Sequence, residues 1–377
     1  MTISNLASPA INQNKSGRLL FLDGLRGIAI LLVVFFHAFA DSWNEILPYQ
    51  FLYSEVLIFK FGNYGVQLFF IISGFVISMT LETCAGFWGF MYRRWIRLFP
   101  AMLIASLIIL ISAPLFTARP YGQPSLMDIL PGITFIEPEL YRWVFGYNQQ
   151  LIEGVFWTLF VEMKFYILAG ILYFTIGSRK MIVVLILMFL SSIVFEFANP
   201  YLPAELADQL NTIIHYLNYR HYGWFAAGAL FYQYYRSKNK HYWLAAVLLG
   251  LLAARCLGGF MSISMLAASL IVLIFAGSMF SPFLQNILSN RVLLFFGFIS
   301  YPLYLIHEQA MISMIIQLNQ HHIDMPLFLL PMLPIIGIIF AAWIIAQYLE
   351  PALKQLIKQL PQLKIHIMQS IARQYRG

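Results

Sequence analysis

Three ionisable side chains stand inside one greasy run near the start of the chain. They are Asp23, Arg26 and His37, within LDGLRGIAILLVVFFHAF at residues 22–39. A charge at the centre of a bilayer-length apolar helix costs at least ~2.5–3.5 kcal/mol on insertion scales, so such groups point to chemistry or transport. Arg26 and His37 are eleven positions apart. At 100° per residue that is about 20° past three full turns, so the two side chains share one helix face. Their axial separation is about 16 Å, which sets Arg26 near one boundary and His37 deeper. Asp23 precedes Arg26 by three residues and is in register to pair with it. Taken singly, the first two read equally well as an interfacial ion pair, and His37 as a satisfied core histidine. Together on one face they imply a polar path inside a helical bundle.

Other side chains extend that path. Glu162 lies within FWTLFVEMKFY (156–166), with Tyr166 one turn on and on the same face. A carboxylate there could orient His37 or stabilise its imidazolium, or it could serve an ion pair between helices. Lys164 is not its partner within the helix, because residues two apart point about 200° away from each other. Arg93, Arg94 and Arg97 cluster in RRWIRLFP (93–100). Guanidinium forks bind phosphate bidentately, while topology anchoring alone accounts for one or two of the three. Tyr301, Tyr304 and Glu308 repeat at i, i+3 and i+7, predicting a polar stripe on a single helix, with His307 three residues after Tyr304. His321, His322 and Asp324 read as a solvated loop, and no metal is expected. Cys84 and Cys256 form no metal or disulfide pattern and read as small hydrophobes.

Composition sets the frame in which these residues sit. Of the 377 residues, 60% are hydrophobic and only 10% charged, against roughly 25% charged in soluble domains, which excludes a soluble protein. The formal charge of +7 is scattered through short loops, so nucleic-acid binding is not expected. A spanning helix needs about 20 mostly apolar residues. Ten segments fit: 19–40, 56–80, 98–116, 154–176, 181–198, 217–235, 242–258, 261–280, 292–316 and 326–349, the sixth being short and tyrosine-rich. The prediction is an all-α membrane protein, a bundle of about ten transmembrane helices with no internal repeat.

With both termini cytoplasmic, most basic residues fall inside: Lys15, Arg18, Arg93, Arg94, Arg97, Arg179, Lys180, Arg236, Lys238, Lys240, Arg291, Lys354, Lys358, Lys364, Arg373 and Arg376. Lys60, Arg119, Arg142, Arg220 and Arg255 fall outside, and Arg26 and Lys164 within spans. The expected domains are a cytoplasmic tail at 1–17, a membrane domain at 18–350 and a basic cytoplasmic tail at 351–377. That last tail reads either as an amphipathic surface helix on anionic lipid or as a solvated segment. The first apolar run, with no small-residue cleavage site before or after it, reads as a retained anchor. Two polar outer segments, about 117–153 and 199–216, are long enough to build a lid or an acceptor site.

These residues resemble a known family. Arg26-x10-His37, GVQLFFIISGFVI (65–77), RRWIRLFP (93–100), FWTLFVEMKFY (156–166) and SYPLYLIHE (300–308) stand in the order found in the acyltransferase-3 family of integral membrane acyltransferases. The resemblance covers about 18–350. It implies a helical bundle that moves an acyl group, commonly acetyl, from cytoplasmic acetyl-CoA to a hydroxyl of a surface glycan or its lipid-linked precursor. Acyl-CoA is then a donor substrate and no cofactor is permanently bound. The expected catalytic residues are His37 as general base, Glu162 and Arg26, with an acyl-histidine relay as the other route at His37. Arg26, Arg93, Arg94 and Arg97 are expected donor contacts, and Asp23, Ser73, Tyr166, Tyr304 and His307 form a second tier. The chain departs from the pattern at Gln67, where relatives often carry Asp, and at Thr158, where Ser is usual. No appended soluble esterase-like domain is expected.

The partners implied are acyl-CoA, a carbohydrate or lipid-linked acceptor, and membrane lipid. The expected location is a plasma membrane, the inner membrane of a bacterium by family usage. Acceptor identity and oligomeric state stay open. The competing reading is a proton-coupled secondary transporter with Arg26, His37 and Glu162 as relay. Against it stands the arginine cluster, for which a transporter has no evident need.

Overall fold

The computed structural model describes residues 19–40, 42–257, 262–321 and 325–359. Lys15, Arg18, His322, Asp324, Lys364, Arg373 and Arg376 lie outside the described residues, as do the predicted N-terminal tail and most of the C-terminal one. The protein is all-helical, 82% helix with no strand among the described residues. The principal helices are α1 (Leu20–Phe39), α2 (Gly65–Glu82), α3 (Phe87–Ser112), α4 (Trp157–Ile176), α5 (Ser178–Ala198), α6 (Tyr222–Ser237), α7 (Lys240–Arg255), α8 (Ile263–Ser278), α9 (Pro282–Leu288), α10 (Arg291–Ile306), α11 (Glu308–Gln320) and α12 (Met332–Ile344).

All ten predicted segments contain helix, but six helical stretches are long and apolar enough to cross a membrane among the described residues. They are Leu20–Phe39, Gly62–Glu82, Phe87–Leu115, Gly154–Ile176, Ser178–Tyr201 and Met332–Gln359. The pair α8 and α9, bent by 107°, makes a seventh if counted as one broken span. Helices α6, α7 and α10 are 16 residues each, short of the roughly 20 that a straight span requires. The predicted ninth span is two helices. α10 ends at Ile306 and α11 begins at Glu308, so the predicted single stripe of Tyr301, Tyr304 and Glu308 is interrupted. Two local features account for the break. Pro302 removes one backbone donor from α10, and the His307 ring nitrogen Nδ1 bonds the Tyr304 carbonyl at 3.0 Å, competing with the backbone ladder.

The chain divides into two units. The first comprises residues up to Met91 and Val155–Ser300. Within it α1 packs on α2, α2 on α4 and α6, α6 on α5 and α7, and α7 on α8. Helix α6 is enclosed by its neighbours, and every residue from Tyr222 to Gln233 is buried. A helix that faces protein on all sides needs no lipid-like surface, which is why its tyrosine-rich sequence gave the weakest signal of the ten.

Close approach in this unit rests on glycine. A Cβ built at Gly74 would lie 2.0 Å from the Phe225 carbonyl oxygen, and one at Gly228 would lie 2.0 Å from that of Ile71, so α2 and α6 touch backbone to backbone. Likewise a Cβ at Gly27 would lie 2.2 Å from the Leu293 carbonyl oxygen, and one at Gly297 would lie 2.0 Å from that of Asp23. The start of α1 is thereby seated directly on the first turns of α10. Small residues at helix contacts are the usual membrane solution, because packing rather than water exclusion must hold the helices together.

The second unit comprises Tyr92–Gly154 and the chain from Tyr301. It holds most of α3, the outer segment, α11 and α12. The outer segment folds with two short helices, Ile129–Thr134 and Pro138–Phe145, and a capping box of Ser125 with Asp128. Its start is fixed to α11. Gln317 donates to the Leu115 carbonyl at 3.1 Å, and the Ala118 N–H donates to the Ser313 hydroxyl at 3.1 Å.

Gly74→Ala is expected to lower stability by at least about 1–3 kcal/mol through overpacking, read as a loss of folded protein on heating in detergent. Gly89→Ala, where nothing lies within 4 Å of the added carbon, is expected to be neutral or slightly stabilising.

Candidate active site

Helix α1 carries the opening trio. Arg26 Nη1 donates to Asp23 Oδ1 at 2.8 Å, with side chains 15% and 4% exposed. The spacing of three residues makes this contact possible, and the glycine-mediated seat on α10 keeps it out of solvent. Eleven residues on, His37 Nδ1 lies 2.8 Å from the Val33 carbonyl oxygen, one turn earlier on its own helix. A carbonyl only accepts, so the ring proton of the neutral imidazole belongs on Nδ1, and Nε2 is the basic nitrogen. Just beyond, Phe39 stacks on Phe59 at 4.4 Å and meets Tyr53 edge-on at 5.6 Å, and the Tyr49 hydroxyl donates to the Ala38 carbonyl. The segment after α1 thus closes down on the end of the helix that bears His37.

Glu162 is a hub on α4. Its Oε1 accepts from the Ser73 hydroxyl of α2 at 2.7 Å and from the Tyr166 hydroxyl at 2.5 Å. Ser73 and Tyr166 are both buried, and Tyr166 packs edge-on against Phe90. The sequence placed Tyr166 on the Glu162 face but gave no register between α2 and α4, so the Ser73 contact comes from the fold alone. No hydrogen bond or ion pair joins Glu162 to His37. The His37 ring contacts the Val33 carbonyl, and the carboxylate of Glu162 is engaged by two hydroxyls. Lys164 turns away from Glu162, bonding the Tyr216 carbonyl and, at 3.2 Å, the Asn218 side chain. The Thr158 hydroxyl bonds the Val155 carbonyl at 3.1 Å, within its own turn. Gln67 is buried, and its Oε1 has no hydrogen-bond partner among the described residues.

The arginine cluster belongs to the second unit. Arg93 and Arg97, one turn apart on α3, are exposed, whereas Arg94 is buried. The three therefore do not share one face, and Arg93 with Arg97 form the accessible pair. Tyr301 donates to the Leu98 carbonyl at 3.1 Å, a packing bond. Tyr304 and His307 are buried, with the His307 ring set by the Tyr304 carbonyl. No group of histidine, cysteine and carboxylate side chains suited to a metal occurs among the described residues.

Sequence reasoning missed one constellation in this unit. Arg119 and Glu153, read from the sequence as an outer-loop charge and the last residue of that loop, form an ion pair whose side chains are 1% and 0% exposed. The available signal was the position of Glu153 immediately before an apolar run, where an acid costs most if left unmatched.

Comparison with known proteins places these features. The family model described as an acyltransferase domain matches residues 19–349. An O-acetyl transferase of Shigella phage Sf6 is 27% identical over 173 residues, covering 45% of this chain and 50% of that protein. Nodulation protein 10 of Rhizobium leguminosarum bv. viciae is 26% identical over 173 residues, covering 41% of this chain and 44% of that protein. The chain spans about half the length of the curated relatives it matches. No solved structure matches.

Removing either donor to Glu162 is expected to destabilise the first unit. Ser73→Ala and Tyr166→Phe should each lower stability by about 1.5–3 kcal/mol, the range for bonds to a charged group. The double variant should lose more than the sum, because the carboxylate then keeps neither donor. A double-mutant cycle of unfolding in detergent reads the coupling.

Proposed function

The chain belongs to the acyltransferase-3 family, and from that premise we propose that it is an integral membrane O-acyltransferase. In this reading it moves an acyl group, acetyl in the first instance, from cytoplasmic acyl-CoA to a hydroxyl of a surface glycan or its lipid-linked precursor. The name of the phage relative, an O-acetyl transferase, supports acetyl as the group. The ten-helix arrangement with both termini cytoplasmic, in a bacterial inner membrane, is part of the same proposal and rests on the distribution of Lys and Arg.

The observation that carries the reading is the pair of functions on one face of α1: an ion-paired guanidinium at one end and, deeper, an imidazole whose proton is held on Nδ1. Transfer requires that the acceptor hydroxyl lose its proton as its oxygen attacks the thioester carbonyl. His37 Nε2 takes that proton, and the C–S bond of the tetrahedral intermediate then breaks. The imidazolium returns the proton to the departing CoA thiolate, so no net proton is consumed. Arginine forks are the expected donor-phosphate contacts, Arg26 in the first unit and Arg93, Arg94 and Arg97 in the second, the exposed pair Arg93 and Arg97 leading within theirs. Glu162, held by Ser73 and Tyr166, is assigned to favour the developing imidazolium.

His37→Ala is expected to lower transfer by about 10²–10⁴-fold, the usual yield of a general base, with the protein inserted at normal abundance. Undiminished acylation would remove His37 from the chemistry. Acetyl-CoA binding to detergent-purified protein should weaken in Arg26→Ala and survive in His37→Ala. Arg97→Ala should raise KM for acetyl-CoA about tenfold, equivalent to roughly 1.4 kcal/mol, with kcat little changed. A folded wild type that binds no acetyl-CoA would overturn the donor and favour a proton-coupled transporter.

A further inference from the structure

The buried pair in the second unit has more partners than an ordinary salt bridge. Arg119 Nη2 donates to the Ile152 carbonyl at 2.7 Å, and its Nε donates to the Gly122 carbonyl at 3.3 Å. One guanidinium thus ties both ends of the outer segment. Glu153 Oε2 accepts the backbone N–H of Gln309 at 2.9 Å, and the Gln309 side-chain oxygen accepts the N–H of Tyr121 at 3.0 Å. These bonds fasten the same two ends to the first turn of α11. A second carboxylate lies alongside, for a Cβ at Gly154 would stand 2.9 Å from both Glu308 carboxylate oxygens and 2.8 Å from the Tyr121 hydroxyl.

Glu153 is fully buried, and a second carboxylate, that of Glu308, acts on it; ionising an acid in such a place is costly. Glu153 Oε1 lies 3.6 Å from Arg119 Nη2, too far for a hydrogen bond, and has no hydrogen-bond partner among the described residues; nor have Arg119 Nη1 and Gln309 Nε2. A single proton on Glu153 removes its charge from a site closed to water.

We propose that Glu153 is held as the neutral acid and that Arg119, Glu153 and Gln309 are positioning residues, a latch that fixes the outer segment on α11 for binding of the acceptor. The assignment to the acceptor rests on the transferase reading above; the latch does not. The groups around Glu153 are Arg119 and Tyr121 from the segment and Glu308 from α11. His307, next to Glu308, has its Nδ1 turned to the Tyr304 carbonyl. Burial does most to push the Glu153 carboxyl up, to about 8, Arg119 opposes and Glu308 adds. Because the folded value lies above the unfolded one, the latch is intact at neutral pH and is lost as pH rises through about 8.

Hydrogen exchange of the full-length protein in detergent tests this, using peptides that contain the Tyr121 and Gln309 amides. After correction for intrinsic exchange, protection in the wild type should fall about tenfold between pH 7 and pH 9. Glu153→Gln, which mimics the neutral acid and ionises in neither the closed nor the open state, should be protected at least as well as the wild type at pH 7 and show no fall. Glu308→Gln removes the neighbouring charge and should move the fall to lower pH, a shift that a merely structural role would not produce. Flat protection in the wild type, or an equal fall in Glu153→Gln, would overturn the latch. Transfer from labelled acetyl-CoA to the glycolipid of host membranes, followed over the same pH range, should decline with the same midpoint in the wild type alone. If exchange behaves as stated but transfer does not follow it, the latch stands and its link to the acceptor fails. Persistence of transfer in His37→Ala would count against the base and leave the exchange result untouched.

Discussion

The bond between Arg26 and Asp23 is the constraint from which the first unit is built. A guanidinium cannot be deprotonated to escape an apolar surrounding, so it needs a permanent partner, and the partner is supplied three residues away on the same helix. That choice keeps the charge pair local and frees α1 to pack by backbone contact. Gly27 and Gly297 remove the side chains that would otherwise separate α1 from α10. The price of so close an approach is that neither position tolerates even a methyl group. Everything that follows along α1, including the depth of His37, is referenced to this fixed end.

The two units handle buried acids in different ways. Glu162 is met by two neutral hydroxyls on one oxygen, Ser73 from a neighbouring helix and Tyr166 from its own. Hydroxyls satisfy a carboxylate oxygen without bringing a positive charge. Glu153 is met by a guanidinium and a backbone amide, yet it shares its site with Glu308, and the second carboxylate offsets what Arg119 contributes. The same residue type is therefore held by neutral hydroxyls in one unit and set beside a guanidinium and a second acid in the other. Neighbours decide the chemistry, and burial only makes the decision costly to reverse.

Much of this was legible in the sequence because bilayer-length apolar runs and the 100° step of a helix are strong signals. The shared face of Arg26 and His37, the Asp23 register and the Glu162–Tyr166 pairing all follow from spacing within one helix. What was not legible depends on contacts between helices. The Ser73–Glu162 bond joins residues 89 positions apart, and no single-helix argument supplies that register. The break at His307 was hidden because apolar character continues through it, while a side-chain bond to Tyr304 ends the ladder. Enclosed α6 misled in the opposite direction, since tyrosines that face other helices lower the hydropathy of a segment packed in the interior. Arg119 was counted as an outer charge and Glu153 was not singled out, yet both are buried, since a loop in sequence need not be exposed in space.

The geometry around His37 also differs from that of a catalytic triad. In a triad a carboxylate both fixes the tautomer of the histidine and stabilises the imidazolium that forms. Here the Val33 carbonyl fixes the tautomer, and it does so from the same helix, so the orientation of His37 survives any movement of α4. A carbonyl accepts the Nδ1 proton as well as a carboxylate does but brings no full charge. A histidine contacted by its own helix and a carboxylate held by two hydroxyls can be altered independently, as the residues of a triad cannot.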